Sequence, residues 1–242
     1  MYDWIFPSGK RPLDMKLSLI IPIYNEVDLL EAVLERVRAA IPFEHELILV
    51  DDYSTDGTRE ILMREERKPD AVVVYHERNR GKGAAIRTGL AHATGEIVIV
   101  QDADLEYDPQ DIPRVIAPIM EGRTNVAYGS RFLGSVKNMA LPNLIANKLL
   151  AWLVTILYFH RITDEATAYK AFRREVINSI DLRCERFEFC PEVTAKILRK
   201  GEKIIEVPVT FTARTFEEGK KIGWRDFIIA VWTLLKLRVK AH

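Results

Sequence analysis

Four β-branched apolar residues, Ile97, Val98, Ile99 and Val100, run into Gln101 and then into two aspartates one residue apart, Asp102 and Asp104, with Glu106 next in the same alternation. The run reads as a buried strand whose end leaves the core. In an extended chain, residues i, i+2 and i+4 face the same way, so Asp102, Asp104 and Glu106 are expected to converge on one point. Two carboxylates about 4 Å apart repel by roughly 4 kcal/mol at an effective dielectric near 20, and a divalent cation offsets that repulsion. Ligands that are all oxygen suit Mg²⁺ or Mn²⁺ rather than a soft metal. Taken alone, the motif reads equally as a solvated acidic turn.

The surrounding sequence supplies the elements that must position these acids. A short apolar strand at 17–21 ends at Pro22, and Asn25 is placed to cap a helix from Glu26 with Leu29, Leu30, Val33, Leu34 and Val37 on its buried stripe. A second strand at 47–50 carries Asp51 and Asp52 at its carboxyl end, and Ser54, Thr55, Asp56 and Gly57 turn the chain into another helix. A third strand spans 71–75, and Gly81-Lys82-Gly83 opens the helix that follows. After the central strand, Asp108 and Pro109 mark a helix start, cap then first-turn proline, and 126–128 is a fifth strand.

Strands alternating with helices at this rhythm predict an α/β fold with a mostly parallel, Rossmann-like sheet flanked by helices. Ligands of such sheets bind beyond the carboxyl ends of the strands. Tyr24-Asn25-Glu26, Asp51-Asp52 and Asp102-Ala103-Asp104 all fall there, which favours a ligand site over a bare acidic turn. The glycines at 81 and 83 lack the third small residue of a dinucleotide fingerprint, since Ile86 stands at that position, and the chain has no phosphate-loop motif. They read as a close turn that sets Arg80 and Lys82 near a cleft, or as a plain turn.

The 242 residues carry 35 basic and 35 acidic side chains, a balance that argues against a general nucleic-acid binder. Cys184 and Cys190 form neither a disulfide framework nor a zinc pattern, which points to a reducing setting. No apolar run of signal-peptide type stands at the N-terminus. The apolar block 149–159 falls short of the roughly 20 residues a span needs. It sits in a helix read over 143–159. That block is either a core helix or, with Trp232 and the basic end of a final helix at 224–239, a surface that lies on a bilayer. Between these helices the pattern predicts a loop and strand at 163–172, a helix at 192–200, and an edge or last strand at 204–211 around Pro208. Residues 1–16 read as an arm, 17–222 as the main domain and 223–242 as a C-terminal amphipathic helix.

Together these pieces resemble family 2 glycosyltransferases of the GT-A fold, and within them the branch of dolichol-phosphate mannose synthases and polyprenyl-phosphate glycosyltransferases. The matching pieces are Pro22-Ile23-Tyr24-Asn25-Glu26, Val50-Asp51-Asp52 with Ser54 and Asp56-Gly57-Thr58, Asp102-Ala103-Asp104, Gly129-Ser130-Arg131-Phe132, and Arg214 with Gly219-Lys220. The resemblance implies that Pro22, Tyr24, Glu26 and Asp52 hold the nucleoside of a nucleotide sugar, with Lys82 and Asp102 also on the donor. It implies Mg²⁺ or Mn²⁺ on Asp102 and Asp104, with Glu106 adding to the shell, an acceptor phosphate at Arg131, and Arg214 and Lys220 closing over the donor phosphates. Asp104, Arg131, Arg214 and Lys220 would then carry the chemistry. It further implies a polyprenyl phosphate acceptor, a peripheral location on the cytoplasmic face of a membrane, and room for a separate membrane subunit. A soluble or polysaccharide acceptor, or a non-catalytic nucleotide-sugar-binding subunit, are the other readings. Two departures stand out: Glu106 replaces a frequent glutamine, and Thr167-Ala168-Tyr169 replaces the more usual Ser-Gly-Phe.

Overall fold

The structure, a computed structural model, describes residues 15–214 and 224–239. Residues 1–14 of the expected arm and the expected phosphate-closing Lys220, with Gly219, lie outside the described residues.

Seven strands form one sheet in the order β3-β2-β1-β4-β6-β5-β7. Its first half is the predicted parallel array. β1 (Leu17–Ile23), β2 (His45–Asp51), β3 (Ala71–Tyr75) and β4 (Ile97–Val100) are joined by α1 (Leu30–Ala40), α2 (Thr58–Glu65) and α3 (Lys82–His92). β1 pairs parallel with both β2 and β4. The branched apolar residues of β1, β2 and β4 are almost wholly buried, because helices cover both faces of a parallel sheet.

The second half is mixed. A short 3₁₀ turn at Pro109–Asp111, capped by the Asp108 side chain accepting from the Gln110 amide, leads into α4 (Ile112–Met120). β5 (Val126–Lys137) follows, then α5 (Leu141–Tyr158), β6 (Lys170–Arg173), α6 (Arg174–Asn178), α7 (Phe189–Arg199), β7 (Ile204–Thr212) and α8 (Trp224–Val239). β6 inserts between β4 and β5 and is antiparallel to both. β7 lies at the edge, where Pro208 opposes Ser130 and the register with β5 shifts between Ser130 and Ser135.

Three local expectations need correction. The first helix starts at Leu30 rather than Glu26, and Asn25 is no cap; it sits at φ 53°. The backbone amides of Asn25, Glu26 and Val27 are taken instead by the side chains of Ser54, Thr58 and Asp56. The fifth strand is 12 residues long, because past the register shift it continues along β7.

The apolar block after residue 149 is not a core helix either. It belongs to α5, of which only Leu150, Ala151 and Val154 are buried, against α7 and α8. Leu141, Ile145, Leu149, Trp152 and Ile156 are exposed, spaced as one stripe down the opposite side of the helix. Trp224, Ile228, Ile229, Trp232, Leu235 and Val239 of α8 are exposed as well. At 18 residues and a mean hydropathy of 1.3, α5 is long and apolar enough, by length and composition, to cross a membrane.

Candidate active site

A cavity of about 410 Å³ opens at the carboxyl ends of β1, β2 and β4. Every described residue expected to act borders it: Pro22, Tyr24, Glu26, Asp52, Lys82, Asp102, Asp104, Glu106, Arg131 and Arg214. β1 and the turn after it deliver the first three, and Asp52 directly follows β2. The turn after β4 delivers the acids, and Arg214 follows the end of β7.

The three acids do not converge as an extended strand would make them. β4 ends at Val100, and the Asp104 side chain accepts from the Glu106 amide at 3.0 Å, so the chain turns there. Among the described residues no three His, Cys, Asp or Glu side chains gather into a metal-holding group. Asp102 and Asp104 each meet a basic side chain instead. Lys82 Nζ lies 2.5 Å from Asp102, and Arg214 Nη2 lies 2.8 Å from Asp104. Arg214 also reaches Glu26 at 3.3 Å, and its backbone amide donates to Glu106 at 2.7 Å.

Burial pushes Asp104 up to about 7, with Asp102 and then Glu106 adding to the rise and Arg214 holding part of it back. Burial opposes the charge of Lys82 and of Arg214, yet Asp102 and Asp104 respectively outweigh it and raise both. A carboxyl that resists ionisation beside two others is a place where a hard cation lowers the free energy. Mg²⁺-type ions take one or two carboxylates and complete their shell from substrate phosphates and water. Asp102 and Asp104 fit that requirement, with Glu106 at its margin.

Asp52 is committed to shaping the cleft. Its carboxylate accepts from His76 Nδ1 at 2.8 Å and from the backbone amides of Arg80 and Gly81 at 2.8 and 2.7 Å. His76 in turn bonds Thr88 on α3. The glycine turn that carries Lys82 is therefore anchored to Asp52 at the end of β2. Gly81 has φ 93°, and a Cβ there would lie 2.4 Å from the Glu185 carbonyl oxygen; at Gly83 it would lie 2.8 Å from that of Arg186. Both positions need glycine because the 184–186 segment lies directly on the turn.

On the β5 side, Arg131 is almost fully buried and forms a two-pronged pair with Asp164, Nε and Nη2 each at 2.7 Å. Burial opposes its charge, but Asp164 outweighs it and raises Arg131 above the usual guanidinium range. Asp164 is held in place by its own amide donating to Glu206. Arg131 also lies over the Phe211 ring. The departure at Tyr169 has a structural use: its hydroxyl donates to Gln101 at 2.7 Å, and Gln101 donates to the Asp102 carbonyl. A phenylalanine there would leave the root of the acidic turn without that tie.

Several cavity residues escape a reading of the sequence: Asn79, Met139, Asn143, Arg186, Phe187 and Phe211. None lies in an acidic or glycine-rich motif. Asp164 and His76, which brace the lining, were equally silent, one inside a plain loop and the other an isolated histidine.

An open α/β sheet with acids and cations at the carboxyl ends of its parallel strands is the arrangement of a nucleotide-binding domain. The profile of Glycosyl transferase family 2 matches residues 18–181, and the chain belongs to that family. It is similar to a dolichol-phosphate mannosyltransferase from Pyrococcus furiosus, 32% identical over 229 residues, covering 92% of this chain and 64% of the relative. It is also similar to an undecaprenyl-phosphate 4-deoxy-4-formamido-L-arabinose transferase from Photorhabdus laumondii, 33% identical over 211 residues, covering 85% and 62%. The chain thus spans under two thirds of the length of these relatives. Its fold is GT-A. The Mycobacterium tuberculosis glucosyl-3-phosphoglycerate synthase, in complex with Mn²⁺, UDP and phosphoglyceric acid, superposes with a TM-score of 0.73 at 21% identity, covering 95% of this chain and 80% of that one.

Proposed function

We propose that this protein transfers a hexose from a UDP- or GDP-linked sugar to a polyprenyl phosphate, with inversion at the anomeric carbon, at a membrane surface on the cytoplasmic side. The observation that carries the acceptor is α5. Asn143 near its start lines the cavity, while Leu141, Ile145, Leu149, Trp152 and Ile156 of the same helix form an exposed apolar stripe. The opposite side of α5 is fastened to α7 and α8, so the stripe can meet a bilayer side-on and lead a lipid tail away from the cavity. The names of the Pyrococcus and Photorhabdus relatives, both polyprenyl-phosphate transferases, support the same acceptor class.

The chemistry needs a stabilised leaving group and an aligned nucleophile. Asp102 and Asp104 would hold Mg²⁺ or Mn²⁺, which supplies Lewis-acid neutralisation of the departing diphosphate. Lys82 and Arg214, now turned onto those acids, become free to pair with the diphosphate oxygens once the acids hold a cation. Pro22, Tyr24, Glu26 and Asp52 border the space for the nucleoside.

Among the described residues that border the cavity, Asp102, Asp104, Glu26, Glu106 and Asp52 all have the partners described above, and none is a histidine. A phosphate acceptor needs no general base, because it arrives ionised, and holding it in line is a positioning effect. Arg131, its charge already met by Asp164, would donate a hydrogen bond to it.

The test follows label from UDP-glucose and GDP-mannose, with Mn²⁺, into organic-extractable product. Transfer that requires added polyprenyl phosphate supports the proposal. Transfer independent of it points to a soluble or polysaccharide acceptor, and no diphosphate release with any acceptor points to a binding subunit.

A further inference from the structure

Four basic side chains border the cavity: Lys82, Arg131, Arg186 and Arg214. Three are matched to acids, Lys82 to Asp102, Arg131 to Asp164, and Arg214 to Asp104 and Glu26. Arg186 is different. Its side chain is exposed, the residue lines the cavity, and the side chain makes no hydrogen bond, ion pair or ring contact among the described residues.

Its backbone, by contrast, is fixed. The Arg186 carbonyl accepts from the Gly83 amide at 3.1 Å, and the neighbouring Glu185 carbonyl accepts from the Ala84 amide at 3.0 Å. The two glycines of the α3 turn allow this approach, since a Cβ at Gly81 would also lie 2.8 Å from Arg186 Cγ. An arginine with a pinned backbone and an unmatched charge, facing a cavity, is placed to take an anion, and its planar fork suits a phosphate.

The charge balance says which anion. The donor diphosphate is provided for by the acids that would hold a cation and by the two side chains those acids release. The acceptor phosphate has only Arg131, and Asp164 already offsets that charge from two sides. Resting on the lipid-phosphate reading above, we propose that Arg186 binds the phosphate of the acceptor and so sets the preference for an ionised acceptor over a neutral alcohol.

The experiment measures initial rates of the full chain in detergent with Mn²⁺, varying a short-chain polyprenyl phosphate and the nucleotide sugar in turn. Arg186→Gln is expected to raise the KM for the polyprenyl phosphate about 10- to 100-fold, the scale of one charged hydrogen-bond partner, and to leave the KM for the nucleotide sugar within about twofold. Arg186→Lys should fall between. Arg183→Gln is the control; that side chain is exposed, is paired with Asp181 and lies outside the cavity lining. A thermal shift with the polyprenyl phosphate alone, without donor, should shrink in Arg186→Gln and not in Arg183→Gln. If the wild type uses the lipid phosphate but Arg186→Gln keeps its acceptor KM, or loses donor KM instead, the inference fails while the acceptor reading stands. If the wild type transfers only to a neutral acceptor, the reading fails and the inference falls with it.

Discussion

Arg214 occupies the place a cation would be drawn to, and removing it should expose that competition. Its guanidinium lies 2.8 Å from Asp104 Oδ2 and 3.3 Å from Glu26, in a setting where all three side chains are less than one-fifth exposed. A hydrogen bond between charged groups is worth about 1.5–3 kcal/mol net. Only the Asp104 contact competes directly with a metal. Arg214→Gln should therefore tighten binding of Mn²⁺ to the nucleotide-free protein by about 10- to 100-fold, at about 1.4 kcal/mol per decade. Losing Arg214 also removes a charge that holds the Asp104 pKa down, so protons compete better in the variant. The comparison belongs at about pH 8, above the wild-type Asp104 value, where proton competition is weaker. Isothermal titration without nucleotide reads the affinity, and transfer rate should fall about 100-fold in the same variant because a diphosphate partner is gone. Equal or weaker Mn²⁺ binding by Arg214→Gln at that pH would refute the competition.

Further predictions come from other parts of the molecule. Mn²⁺ affinity of the nucleotide-free wild type should fall as pH drops below about 7, toward tenfold per unit, because protonated Asp104 must release its proton to bind; a flat titration profile between about pH 5 and 8 would contradict the raised carboxyl. Burial would raise Glu46, but Lys16, Ser18 and Thr94 outweigh it and pull it down from 4.5 to about 2. The stability this adds, about 2–3 kcal/mol, is present above 4.5 and lost as pH falls toward 2, and Glu46→Gln should remove it and flatten the acid limb of a urea-unfolding series. Trp152→Glu with Trp232→Glu should abolish flotation with anionic vesicles, yet change unfolding free energy by only about 0.5 kcal/mol each, since both side chains are more than 60% exposed. Undiminished flotation would remove these helices from membrane contact.

Local pattern reached far into this fold. The strand at Ala71–Tyr75 and the helix at Trp224–Val239 have the bounds their apolar spacing implies, and the acids at the ends of β1, β2 and β4 border one cavity. What stayed illegible is carried by contacts between distant residues. The start of α1 depends on side chains at 54–58 that take the amides of 25–27. β6 has four residues, and nothing local says that so short a strand inserts antiparallel beside β4. The Arg131–Asp164 pair spans 33 residues, and the Arg186 position depends on the glycine turn a hundred residues earlier in the chain. Asp102, Asp104 and Glu106 misled for the opposite reason. The alternation was sound for a strand, but β4 already ends at Val100 and the Asp104 side chain folds onto the Glu106 amide.

The proposed reaction requires Asp102 and Asp104 to bind a nucleoside diphosphate through a divalent cation. Mn²⁺ electron paramagnetic resonance tests that most directly, titrating wild type and Asp104→Asn with and without UDP or GDP. The prediction is that one of the two nucleotides raises Mn²⁺ binding by the wild type, and that Asp104→Asn weakens this ternary complex about 100-fold. Equal Mn²⁺ uptake by Asp104→Asn in the presence of that nucleotide would contradict the assignment.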